Sequence, residues 1–110
     1  MDQWLRVDCD YFAEGLWDER GRMISLSNVP ISQPLRRRIL AWQEWYDEKA
    51  EPEPCSTSYD WELHDLVRID IARALKRELP DWTIVAGDIL IRDDGSMGER
   101  VPYPGEHLLR

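Results

Sequence analysis

The segment Glu51-Pro52-Glu53-Pro54 limits this chain more than any other, because two prolines one residue apart fix extended backbone and exclude helix. Helices must therefore lie on either side of it. Upstream, Ser32 is placed to cap a helix and Pro34 falls in its first turn, where a missing amide hydrogen does no harm. Leu35, Ile39, Trp42 and Tyr46 then recur at i, i+4, i+7 and i+11, which stacks them on one narrow face and predicts a helix fading near Lys49 and Ala50. Downstream, Ser58 or Asp60 opens a second helix that runs to Leu79 and stops at Pro80, with Leu63, Leu66, Val67, Ile71, Ala74 and Leu75 as its inward stripe.

The flanks read as strand. Residues 4–12 alternate, with Leu5, Val7, Cys9 and Tyr11 on one side and Arg6, Asp8 and Asp10 on the other, as a half-buried strand should. Trp17 to Arg22 reads as a glycine-bearing turn and Met23 to Leu26 as a short second strand, broken by Asn28 and Pro30. Trp82 to Ile91 is an apolar, β-branched run that predicts the longest and most buried strand, with a bulge or bend at Gly87 and Asp88. Asp93 to Ser96 is a turn, and Met97 to Arg110 reads as a loose tail with a brief strand around Arg100 to Tyr103. The fold class expected is α+β: two helices packed on one face of a small, mainly antiparallel sheet, with one domain over residues 1–92 and a loosely ordered tail over 93–110.

At 110 residues the chain fits one domain, and 43% hydrophobic against 33% charged residues is a globular balance. The net charge of −8 opposes approach to nucleic-acid phosphates and anionic lipid, so no nucleic acid and no membrane is expected as partner, and a basic protein is favoured. There is no apolar run long enough to span a bilayer, and Met1 to Arg6 lacks the pattern of an export signal. Cys9 and Cys55 are far apart and outside any CxxC spacing, which fits reduced thiols in a cytoplasmic protein, with a single bridge between them left open.

Catalytic signatures are missing. Glycine-rich phosphate loops, HExxH, GxSxG and paired CxxC motifs do not occur, and no cofactor or metal is expected. Asp8 and Asp10 share a strand face and would hold a divalent cation if Asp88 converged on them, yet solvent exposure of a polar strand face produces the same pair. Cys9 with His64 would form a thiol and base if the two met, but alternation sends Cys9 to the apolar face and His64 to the margin of the second helix's stripe.

The stretch from Glu44 to Glu62 is more informative. Its seven acids against the lone Lys49 supply six of the eight net negative charges, and Trp45, Tyr46, Tyr59 and Trp61 are interleaved with them. Aromatic anchors ringed by like charge suit docking onto a cationic surface, and Trp45, Asp47, Glu48, Tyr59, Trp61 and Glu62 are the candidate partner-binding residues. The competing reading is a solvated helix end whose rings fold back onto the core. Helix polarity adds a hint: Arg36, Arg37 and Arg38 open the first helix and Asp47 and Glu48 close it, against the dipole, unless Asp70 or Glu78 compensates across the helix pair. Leu40 and Ile69 point off the assigned stripes and Trp45 flanks one, which fits a self-associating adaptor as the alternative to docking on a basic protein, with a small metal-dependent hydrolase third.

Four groups of residues carry a resemblance: Gly15-Leu16-Trp17-Asp18-Glu19-Arg20-Gly21, then Val29-Pro30-Ile31-Ser32-Gln33-Pro34-Leu35-Arg36, Ala41-Trp42-Gln43-Glu44-Trp45-Tyr46-Asp47, and Ala72 to Lys76 with Glu78 to Thr83. Over about Asp8 to Asp88 the chain resembles short bacterial proteins, some of which look like immunity proteins associated with polymorphic or contact-delivered toxins. The resemblance implies a cytoplasmic, non-catalytic protein that neutralises a cognate toxin by binding it. No contact residue transfers with it, and the stretch after Ile89 is longer than the resemblance predicts.

Overall fold

The computed structural model describes residues 3–50 and 59–106. Glu51 to Ser58, with its proline pair and Cys55, lies outside the described residues, as does His107. Among the described residues, two helices, α1 (Gln33–Lys49) and α2 (Trp61–Glu78), accompany five strands: β1 (Trp4–Val7), β2 (Leu16–Trp17), β3 (Thr83–Ala86), β4 (Ile89–Ile91) and β5 (Met97–Arg100). The sheet order is β2-β1-β3-β4-β5; β1 and β3 run parallel and the other three pairings are antiparallel. The parallel pair requires a crossover, and α1 and α2 supply it. The α+β class and the mainly antiparallel sheet are as the sequence predicts.

Both helices feed one core. α2 lies against β1, β3 and β4, while α1 packs beside α2. Leu35, Ile39 and Trp42 of α1 and Ile71, Ala72 and Leu75 of α2 meet Leu5, Val7, Ile84, Ala86 and Ile91 of the sheet. In β1 and β3 the register sets Leu5 beside Ile84 and Val7 beside Ala86, so period-two alternation delivers one apolar face to the helices. Arg6 and Val85, paired in the same register, turn to the opposite face.

Several elements differ from the sequence reading for local reasons. β1 ends at Val7 and not near residue 12, because Asp8 Oδ1 accepts from the Cys9 amide and Asp10 Oδ1 from the Tyr11 amide, bonds that compete with a strand ladder. The partner of β1 is Leu16–Trp17, and the strand predicted over Met23 to Leu26 reduces to one bridge, Trp17 with Met23, before a 3-10 turn at Leu26–Asn28. Asp18 Oδ1 accepts from the amides of Arg20 and Arg22, which closes the turn where the sequence predicts it, directly after β2. The long strand predicted over Trp82 to Ile91 is a hairpin: Gly87 has φ +62, and Ala86 pairs back to Ile89 across it. The last strand falls at Met97–Arg100 instead of Arg100 to Tyr103.

The helix termini follow their signals. Ser32 Oγ accepts from the Leu35 amide and Asp60 Oδ1 from the Leu63 amide, so Asp60 is the cap of α2. Glu78, at the far end of α2, accepts from both the amide and the hydroxyl of Ser32, placing a carboxylate at the N-terminus of α1. Arg36 reaches back to the carbonyls of Leu26 and Val29, and Arg38 pairs with Asp70. Arg36 and Arg38, two of the three arginines that oppose the α1 dipole, are thus fastening points. The α2 stripe is rotated from the predicted one: His64, Ile71, Ala72 and Leu75 are buried, whereas Leu63 and Leu66 face water.

Candidate partner-binding site

The end of the molecule where α1 stops and α2 starts gathers the aromatic side chains around one imidazole. His64, only 1% exposed, stacks on Trp42 at 4.9 Å between centroids and shares a 2.7 Å hydrogen bond between its Nδ1 and the Tyr59 hydroxyl. Trp45, Tyr46 and Trp61 complete the cage, each with its ring within 6.1 Å of the imidazole. His64 is therefore a core residue and not the boundary residue that its place on the stripe implied. Burial, reinforced by the nearby Arg68 guanidinium, pulls its pKa from 6.5 down to about 4, so the ring is neutral at pH 7.

The six candidate residues are sorted by that cage. Tyr59 is 5% exposed, its ring held between Trp45 at 4.5 Å and Trp61 at 4.7 Å. Trp45 is half-buried and packs against the core. Trp61 is 44% exposed, and Asp47, Glu48 and Glu62 are exposed on the adjoining turns. The rings are brought together, and the three acids are exposed on the last turn of α1 and the first turn of α2. Trp61 keeps part of its ring in water, and Tyr59 packs beneath it.

A neighbouring feature escapes hydropathy altogether. The β1–β2 loop is joined to this end through the buried Gln43, whose Nε2 donates to the Asp10 carbonyl at 2.7 Å and to Asp47 Oδ1 at 2.9 Å. Tyr11 packs its ring 5.1 Å from that of Tyr46 and donates its hydroxyl to the Ala50 carbonyl. At the tip stands Phe12, 95% exposed. The signal in sequence was a lone phenylalanine that broke alternation after Tyr11, and only backbone geometry reveals its exposure.

The carboxylates considered for metal are otherwise engaged. Asp8 pairs with Arg68 at 3.0 Å and accepts from the Tyr103 hydroxyl, Asp88 pairs with Arg100 at 2.8 Å, and Asp10 closes its own turn. Among the described residues no three His, Cys, Asp or Glu side chains are grouped to hold a metal ion. Cys9 is a free thiol whose pKa burial and the Asp8 carboxylate push well up, the reverse of an activated nucleophile, and His64 spends its Nδ1 on Tyr59.

Arg6, assigned by alternation to a solvent-facing side, is only 3% exposed. Its guanidinium donates to the carbonyls of Gly87, Val101 and Pro102, and lies 4.3 Å from the Tyr103 ring centroid and 5.2 Å from that of Trp4. Arg6 thus ties residues 101 and 102 to β1, and the Tyr103 hydroxyl on Asp8 and the Val101 amide on the Asp88 carbonyl add to the attachment. Beside it lies a cleft of about 360 Å³, bordered by Asp8, Asp10, Trp17, Arg20 and Tyr103.

Residues 3–86 match the family model described as Serratia CdiI immunity protein-like. The chain belongs to that family. The match takes in both helices, the aromatic cage and the β1–β2 loop, and ends with β3; β4, β5 and the segment that Arg6 holds lie beyond it. Among curated proteins nothing matches the chain. No helix among the described residues is long and apolar enough to cross a membrane.

Proposed function

We propose that this protein is an immunity protein that acts in the cytoplasm by binding a basic cognate toxin domain directly, without catalysis, and that the acidic, aromatic end is the docking face. The observation that carries this reading is Trp61 standing partly exposed over a packed set of rings while Asp47, Glu48 and Glu62 lie around it in water. Carboxylates in that setting steer a cation-rich partner and leave affinity to a few aromatic contacts. The family supports the immunity role, and the engaged states of Cys9, His64 and Asp8 support a non-catalytic one.

The test is co-expression with the cognate toxin domain, sought in the open reading frame beside this chain's gene. A stoichiometric complex that survives size-exclusion chromatography and protects the host is the expected result. Growth arrest despite abundant folded protein, with no complex, contradicts it. A second reading, self-association, rests on Leu63, Leu66 and Met97, which expose apolar surface, with Leu66 and Met97 lining one groove beside Ile69. Light scattering over a hundredfold concentration range separates the two, a persistent monomer excluding the second.

A further inference from the structure

Phe12 is placed as no residue serving only the fold would be. Its φ is +67, the left-handed region that costs an aromatic side chain strain, and among the described residues it is the one non-glycine there. Its ring gains nothing in return, since 95% of the residue faces water. The loop beneath is fastened at several points. The Asp8 amide donates to the Gly15 carbonyl at 3.0 Å, the Ala13 amide to the Asp10 carbonyl at 3.2 Å and Trp17 Nε1 to the Asp8 carbonyl at 3.0 Å, while Gln43 and Tyr11 tie the same turn to α1. A rigid turn that holds an apolar ring in solvent, at the cost of backbone strain, is pre-organised for insertion into another surface.

The surroundings state what that surface is. Asp10 lies two residues away and exposed, Asp47 is linked to the loop through Gln43, and Arg68, the nearest cation of α2 to Asp8, is already paired with Asp8 and Asp65. The ring thus rises from a negative rim that suits lysine and arginine side chains around an apolar hollow. We infer that Phe12 is the hydrophobic anchor of the complex, entering an apolar pocket bordered by basic residues on the toxin domain. This rests on the docking face proposed above and adds to it the residue that supplies affinity.

Phe12→Gly and Phe12→Asn remove the ring and keep a residue at ease with positive φ, so both should melt at or above the wild-type temperature. Binding of each to the purified neighbouring toxin domain, measured by surface plasmon resonance, should weaken about thirtyfold or more, the loss expected for a hot-spot aromatic, through faster dissociation at an unchanged association rate. A loss under about tenfold in the two variants overturns the anchor. So does a fall in melting temperature, which would make the ring structural. If the Phe12 variants bind normally while Asp47→Lys with Glu48→Lys slows association, the acidic face stands and only the anchor fails. If the wild-type protein does not bind the toxin domain, both fall together.

Discussion

Single residues decide what this fold tolerates, and His64 is the clearest case. The native state holds its imidazole neutral with a pKa of about 4, whereas the unfolded chain titrates near 6.5 and binds the proton first on acidification. The stabilisation is therefore complete above pH 6.5 and is lost as pH falls toward 4, by at most about 3 kcal/mol for a shift of that size. Urea denaturation followed by tryptophan fluorescence should show this slope, and His64→Gln, which retains a partner for the Tyr59 hydroxyl, should flatten it between pH 6.5 and 4. An equal slope in the variant contradicts the assignment. Arg6 is the second case: Arg6→Met strands the carbonyls of Gly87, Val101 and Pro102, and should cost about 2–4 kcal/mol. Hydrogen exchange should accelerate in residues 101–106, and unaltered protection there would show that the segment does not depend on the guanidinium. Neither role was legible in sequence. Alternation classes arginine as solvent-facing and a histidine beside Leu63 as marginal, because it carries no information on which carbonyls or rings tertiary structure brings near.

At the scale of elements, caps and proline stops were the readable part. Ser32, Pro34, Asp60 and Pro80 bound α1 and α2 through local chemistry that needs no knowledge of the rest of the chain. The strands were harder, since β1, β2 and β4 are only two to four residues long and the turns between them depend on carboxylates that bond their own backbone. The α2 stripe was misphased for a related reason: leucines at positions 63 and 66 outrank a histidine in hydropathy, yet Trp42 and Tyr59 draw His64 inward. Two substitutions test how elements are joined. Gly15→Ala combines a φ of +95 with a new methyl 2.9 Å from Ile39 Cγ2, and should destabilise the protein by about 2 kcal/mol in a thermal melt. Glu78→Ala removes the acceptor for the amide and hydroxyl of Ser32, and should cost about 1 kcal/mol with no effect on toxin binding, because it acts at the opposite end of α2 from Trp61. A neutral result in either would mean that the local geometry relaxes freely.

For the whole molecule, the linear sequence indicates where charge concentrates and does not indicate exposure. The chain read linearly locates six of eight net negative charges between Glu44 and Glu62 and four rings among them. It does not say that Tyr59 is buried, that Trp61 is half in water, or that Phe12 stands on a loop brought alongside by Gln43. At the end where α1 stops and α2 starts, folding forms a face on which Trp45, Tyr46, Tyr59 and Trp61 pack around His64 while Asp47, Glu48 and Glu62 are exposed. If that face receives a basic toxin domain, the rate of encounter must depend on those carboxylates and on salt. The most direct measurement is the stopped-flow association rate with the neighbouring toxin domain at low and high ionic strength, for the wild type and for Asp47→Lys, Glu48→Lys and Glu62→Lys combined. The rate should fall at least about tenfold in the triple variant, and its salt dependence should flatten. An association rate and a salt slope both equal to those of the wild type would place the toxin on another surface.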